Sequence, residues 1–270
     1  MPQLTLDDAF DDMNTVASDG FVPPATLFRD RHDGARYQLL TRLYAYALYA
    51  ALGSAMLGFI PAWTLALLVP FVYLRMALAL HELLHARPPD QVPRFHQLTM
   101  IFESPMCLGY REHRAVHFAH HRFASTERDP ERYQIVGRPF GAFANAMISP
   151  ERGFVQWVRA HGLSRDLALD AGIRCAAFVA LAVVSPRVFF IYWIALRVSV
   201  GVASFVFHYA LHNDDGRLGT FPLPVAAAVV RGARALFGAE PMLILTEHER
   251  HHAWPRVRAR DLPLLPEPRA

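Results

Sequence analysis

Two apolar runs follow one another early in this chain and limit what it can fold into. Leu43–Ile60 contains no charged residue, and Pro61–Leu80 contains only Arg75. A bilayer core roughly 30 Å thick takes about 20 apolar residues in an α-helix, so the pair predicts a transmembrane hairpin turning at Ile60-Pro61. A second apolar pair lies at Leu167–Ser185 and Val188–Leu211, divided at Pro186-Arg187. Its first member carries Asp170 and Arg174. That i, i+4 spacing predicts that one helical turn brings the two together and lowers the cost of immersion. The alternative is a soluble all-helical protein with two buried hairpins, and the length of the first two runs argues against it.

Four spans place residues 1–42, 86–166 and 212–270 on one side of a membrane. All 27 basic residues are arginine, and every one except Arg75, Arg174, Arg187 and Arg197 falls in those three segments. Positive charge favours the cytoplasmic side, which predicts that both termini and the long central segment are cytoplasmic. The expected architecture is all-α, one integral membrane domain over 1–270. It has an N-terminal segment (1–37), a first hairpin (38–85), a cytoplasmic helical cap (86–166), a second hairpin (167–212) and a cytoplasmic tail (213–270). The acidic start, with Asp7, Asp8, Asp11 and Asp12, lacks the basic and then apolar order of a signal peptide. With 53% hydrophobic and 19% charged residues, the chain is neither disordered nor a nucleic-acid-coating protein, despite a net charge of +3. Its two cysteines, Cys107 and Cys175, offer no disulfide framework and no thiolate metal site.

Histidine carries the chemical signal. Of the 14 present, most lie in clusters that the topology puts on the cytoplasmic face. His81-Glu82-Leu83-Leu84-His85 ends the second apolar run, and His117-Phe118-Ala119-His120-His121 lies in the central segment. His208 and His212 end the fourth run, and His248-Glu249-Arg250-His251-His252 lies in the tail. On a helix the two HxxHH patterns spread three imidazoles over an arc of about 100°. Imidazole suits Fe, Zn, Cu or Ni, and eight or more such ligands exceed what one ion can use, so two metal ions are expected. His113 precedes His117 by one turn and is a ligand, a hydrogen-bond donor to one, or neither. Of His208 and His212, the latter is nearer the cytoplasm and is the favoured ligand. His32, His96 and His161 read as ordinary surface or interface residues.

These three boxes, in this order and topology, resemble the membrane fatty acid desaturase and hydroxylase superfamily over most of residues 40–260. Thr126-Glu127-Arg128-Asp129-Pro130-Glu131 is similar to the polar stretch that follows the second box there, and Pro255 to the proline that follows the third. The resemblance implies two iron ions on the cytoplasmic face held by His81, His85, His117, His120, His121, His248, His251 and His252, with His212 added as in many members. No catalytic residue beyond these ligands is implied. It further implies O2-dependent oxidation of an unactivated C–H bond in a lipid or acyl-type substrate, with fatty acyl desaturation first and hydroxylation as the close alternative. No His-Pro-Gly-Gly haem motif is present. Electrons are therefore expected from a separate ferredoxin-like or cytochrome-like partner.

Two rivals stand beside this reading. His81-Glu82-Leu83-Leu84-His85 satisfies HExxH, the pattern of a membrane zinc metalloprotease with Glu82 as general base. That reading leaves the two HxxHH boxes without a purpose. A bis-histidine haem or metal-transport protein needs polar groups at mid-span, whereas these clusters lie at span ends. Arg197 stands eleven residues before His208, about 16 Å along a helix, and either contacts a polar part of a substrate or pairs with another segment. Phe221–Phe237, with Arg231 and Arg234, reads as an interfacial amphipathic helix. Asp214–Gly216 reads as a turn. The proline-rich tail is either an ordered wrap or a loose end.

Overall fold

A computed structural model describes residues 21–268. The acidic stretch at Asp7–Asp12 lies outside the described residues. The first long helix, α1 (Arg31–Met56), opens with a capping box in which the Asp30 side chain accepts from the Asp33 backbone and Asp33 returns the bond. A bend through Gly58, held at φ 77°, leads to α2 (Leu65–Ala86). The central segment folds into α3 (Arg94–Met100), α4 (Tyr110–Phe123), α5 (Pro139–Met147) and α6 (Ser149–His161). Next come α7 (Arg165–Val184) and α8 (Pro186–Ser204), the latter continuing through a π-helical stretch at Phe205–Ala210. The chain ends in α9 (Ala227–Phe237), α10 (Ala239–Thr246) and α11 (His248–Ala253). Its only sheet among the described residues is a two-stranded ladder, β1 (Asn213–Asp214) with β2 (Arg217–Leu218). Asp215 and Gly216 both have positive φ, as a two-residue hairpin turn requires. The turn expected at Asp214–Gly216 is therefore present, and the expected all-α class holds apart from this ladder.

Ala45, Leu48, Leu52 and Ala55 recur at three- and four-residue steps along α1, which gives that helix one continuous buried stripe. The stripe packs on Leu65, Val69, Tyr73 and Met76 of α2 and on Tyr192, Leu196 and Val200 of α8. This three-helix core is the frame on which the histidine-bearing ends are mounted. Helix α7 leans on its outside, burying little beyond Leu167, Arg174 and Phe178.

Three helical stretches are long and apolar enough to cross a membrane, namely Ala62–Ala86, Arg165–Val184 and Pro186–Ala210. The first expected span is not among them. Helix α1 begins seven residues earlier than the hairpin boundary at residue 38, ends at Met56, and includes Arg42, Tyr44, Tyr46, Tyr49 and Ser54. The proposed Asp170–Arg174 pair is corrected by the structure. Asp170 binds Arg94 at 2.8 Å, and the buried Arg174 donates to the carbonyl of Cys107 at 3.1 Å. Both partners come from the α3–α4 segment, whose approach to α7 the apolar pattern did not register. Arg197 takes the pairing alternative, binding Glu151 of α6 and the carbonyl of Met147.

The tail is an ordered wrap. Trp254, Val257, Leu262 and Leu265 are buried with Phe21, Leu27 and Phe28 beside them. Backbone bonds from Arg29 to Arg256 and from Arg258 to Leu27 join the two ends of the described chain.

Close approach of α5 to α8 depends on Gly201, where an added Cβ meets Met147 Cγ at 2.6 Å and the Phe143 ring at 3.2 Å. Gly201→Val is expected to lower stability by about 1–3 kcal/mol through overpacking. Gly53→Ala, where a Cβ meets nothing within 4 Å, should leave it unchanged or slightly raised. Thermal unfolding of the purified protein in detergent checks both.

Candidate metal centre

Each histidine cluster sits at the end of an element that aims it inward. His81 and His85 occupy the last turns of α2, one turn apart, and both are buried. His117, His120 and His121 line one side of α4, and His248, His251 and His252 make up half of α11. His212 follows the π-helical turn, the one place where the α8 span leaves α-helical geometry.

The nine rings gather into two adjoining groups. Ligand nitrogens of His81, His85, His117, His121 and His251 lie within 4.8 Å of one another, and so do those of His120, His212 and His252. His248 joins the second group through its Nε2, 2.9 Å from that of His212. The groups share a border where the rings of His121 and His252 stand 4.2 Å apart. Each HxxHH motif serves both groups. His117 and His121 face the first while His120 faces the second, and His248 and His252 face the second while His251 faces the first. The 100° arc expected from the spacing is what lets one helix look into two centres.

Separations within the groups match those of ligands around a common cation. His117 Nε2 lies 2.8 Å from His85 Nε2 and 3.2 Å from His121 Nε2, and His212 Nε2 lies 3.2 Å from His120 Nε2. Two nitrogens bound at about 2.0–2.1 Å and at right angles stand about 2.8–3.0 Å apart. Hydrogen bonding alone satisfies such a nitrogen poorly, because it carries either one proton or one lone pair while facing two other ring nitrogens. Buried nitrogens without any protein partner point the same way. Both ring nitrogens of His251 and of His252 lack a hydrogen-bond partner among the described residues. Leaving a buried nitrogen unpaired costs about 1–3 kcal/mol, and coordination at one nitrogen of each ring removes that part of the penalty.

Several rings are fixed from behind. His120 Nδ1 lies 2.9 Å from the Asp129 carboxylate, His212 Nδ1 is 2.7 Å from the Gly219 carbonyl, and His248 Nδ1 is 3.3 Å from that of Ile244. Those oxygens only accept, so each Nδ1 carries the proton and each Nε2 offers its lone pair to the centre. Asp129 is itself held by the Ser125 and Glu131 backbone amides. Burial, and then neighbouring imidazoles, keep His117, His121, His212, His248, His251 and His252 well below the ordinary histidine range, in the neutral form a metal needs.

His208 has a different task. Its Nδ1 donates to the Ser204 carbonyl at 2.9 Å and its Nε2 faces Glu131 at 3.1 Å, so neither nitrogen is left for a metal. Burial pushes Glu131 up, but the adjoining His208 outweighs it and holds the carboxyl at about 2. His113 is half-buried and belongs to neither group. His161 is exposed and stacks on Trp157. Glu82 is 1% exposed and binds Arg29 through both oxygens, at 2.6 and 3.2 Å, while the same guanidinium reaches the Pro255 carbonyl at 2.5 Å. Arg29 thus ties the first box to the chain that follows the third.

Sequence reasoning passed over Asp129, Glu131 and Arg29 as individual residues. The first two lie in the polar stretch after the second box, which was the available signal. Nothing in the sequence marked Arg29.

Asp129→Asn is expected to weaken metal binding at the His120–His212–His252 group about 10- to 100-fold while sparing the other group. Chelator competition followed metal by metal reads this. A second expectation concerns acid. The folded-state values of these histidines lie below the ordinary 6.5, so the unfolded chain binds more protons below that pH. Stability of the metal-free protein is therefore fully present above about pH 6.5 and falls as pH drops below it, which a thermal unfolding series between pH 7.5 and 5 would register.

Comparison with known proteins finds no family model, no curated protein and no solved structure that matches this chain.

Proposed function

We propose that this chain is a membrane-bound non-haem di-iron oxidoreductase that uses O2 to oxidise an unactivated C–H bond in a lipid or acyl-type substrate, with fatty acyl desaturation as the leading reaction. The observation that carries this reading is the convergence of nine imidazoles, from four separate stretches, into two adjoining groups. The donor set fits iron: neutral nitrogen ligands, two centres, and backing hydrogen bonds that fix which nitrogen is offered. His81, His85, His117, His121 and His251 would hold one ion, and His120, His212, His248 and His252 the other. Such a pair supplies O2-dependent hydrogen removal from C–H bonds, with two electrons from a ferredoxin-like or cytochrome-like donor.

The chain's own residues bind, orient and exclude. Asp129 and the carbonyls of Gly219 and Ile244 keep three Nδ1 protons in place, so the rings do not change tautomer. Burial of the site keeps bulk water from the reacting carbon. Apolar helices beneath it allow a water-insoluble substrate to arrive from the bilayer. On this reading α1, α2, α7 and α8 form four spans, and the arginine distribution puts both termini and the histidine centres on the cytoplasmic side. Hydroxylation on the same scaffold is the alternative outcome. The protease alternative is weakened by Glu82, whose two oxygens are both bound to Arg29 and which has three further imidazoles in front of its pair.

His251→Ala and His120→Ala are each expected to abolish turnover and to cut bound iron from about two per chain to about one or fewer, with membrane insertion unchanged. Metal analysis and lipid mass spectrometry of cells with and without the gene make the measurement. New double bonds identify desaturation and new hydroxyls identify hydroxylation. One zinc per chain, or full activity in either variant, would overturn the proposal.

A further inference from the structure

Three of the apolar helices carry an arginine at matching height. Arg75 stands ten residues after the start of α2, Arg174 ten before the end of α7, and Arg197 eleven after the start of α8. At 1.5 Å per residue the part beyond them, without charge except for Arg187 at the outer end of α8, is only about 15–17 Å deep, roughly half of a 30 Å hydrocarbon core. Taken in the other direction, Arg75 lies six residues before His81 and Arg197 eleven before His208, about 9–16 Å below the level of the histidines. If these helices cross the bilayer, the arginines lie inside the hydrocarbon.

Each of them is met there by a carbonyl at the lowest point of a segment descending from the histidine level. Arg75 Nε donates to Leu236 at 2.8 Å, in the last turn of α9 just before the reversal at Gly238. Arg197 Nη1 donates at 3.0 Å to Met147, the last residue of α5, before the chain turns into α6. Arg174 Nη1 donates at 3.1 Å to Cys107, in the link between α3 and α4. Two of the three acceptors are therefore C-terminal helix carbonyls, which lack intrahelical partners and carry the negative end of the helix dipole. Contacts at both levels trace the descent. Tyr209, beside His208, donates to Gly137 just before α5, and Phe143 of that helix packs on Phe205 further down. Tyr110 returns to the carbonyls of Leu83 and Arg87, while Glu103, at the bottom of the same segment, accepts from Tyr73.

Beside each lowest point an apolar side chain faces outward. Met106 is 45% exposed, Ile148 52% and Leu236 53%, beside 74% for Val183 on α7. We propose that the α3–α4, α5–α6 and α9–α10 segments are seated inside the near leaflet as re-entrant elements, with acyl chains against Met106, Ile148 and Leu236, and that Arg75, Arg174 and Arg197 hold their lowest carbonyls. Irregular backbone is tolerated at membrane depth where protein satisfies it, and here the guanidinium groups do so. Arg231 and Arg234 on α9 are long enough to reach lipid phosphates from a helix lying below them. The expected cap is then only partly outside the membrane. This rests on the membrane reading given above.

The test uses the full chain in lipid nanodiscs, in a Cys175→Ser background. Nitroxide labels go on Met106→Cys, Ile148→Cys and Leu236→Cys, with Val183→Cys at the outer end and Asp215→Cys in the β-turn as references. Power saturation is read with O2 and with a water-soluble nickel chelate. The three sites should resemble Val183, with O2 collisions exceeding those of the chelate severalfold, and Asp215 should show the reverse. If the three resemble Asp215 while Val183 remains lipid-exposed, the re-entrant seating is wrong and the membrane reading stands. If Val183 also resembles Asp215, both fail. Native Cys175, exposed and next to Arg174, gives an independent measure without substitution. An impermeant maleimide added to vesicles should leave it unlabelled until the protein is denatured, and rapid labelling beforehand would overturn the membrane reading and the seating with it.

Discussion

Nine imidazoles crowded into a buried space are the constraint on which the rest of this structure depends. Neutral rings at such separations gain little from one another, and several have no other partner among the described residues. A structure that brings them together must recover that free energy elsewhere, and bound cations would do so directly. The surrounding architecture follows from the need to hold four stretches of chain in register around those positions. Long helices packed by their apolar stripes give α2 and α8 rigid ends, and short helices deliver the other two clusters against them.

Stabilisation and chemistry are divided along the length of the helices. Far from the histidines the contacts are aliphatic and aromatic, with Leu65, Val69 and Tyr192 almost wholly buried. Near the histidines they become polar and specific, with Asp129, Glu131, Glu82 and Arg29 each committed to a named partner. Between the two lies the level of the arginines, where helix ends from the central segment and the tail meet the apolar helices. This gradation explains how a chain with only 19% charged residues keeps a highly polar centre without spreading charge through its core.

Much of this was legible in the sequence. The spacing of His81 with His85 and the two HxxHH patterns named eight of the nine gathered rings, because helical periodicity converts directly into a shared face, and the ninth, His212, was marked by its place at the end of the fourth apolar run. Of the two span-end histidines, His212, the one preferred from its position, joins the grouped rings, while His208 turns to Glu131 and Ser204. Contacts between remote segments were not legible. The Asp170–Arg174 pairing looked right from i, i+4 spacing, yet Arg94 and the Cys107 carbonyl compete for those groups across more than sixty residues of sequence. The division of each HxxHH motif between two centres required knowing where the facing helices stand. Helix α1 illustrates a further limit: its tyrosines and Ser54 dilute the apolar signal, while its buried stripe shows that packing against α2 and α8 governs its place.

The pairing of residues 27–29 with 256–258, locked by Arg29 on Glu82 and Pro255, bears on the order of assembly during synthesis. The apolar helices and the first two histidine boxes leave the ribosome long before the third box does. Until the last residues emerge, the opening segment has no strand to pair with and Glu82 lacks its full tether. Completion of the nine-ring cluster therefore waits on synthesis of residues 248–258, and an ion held by all four stretches would find its full set of ligands only after them.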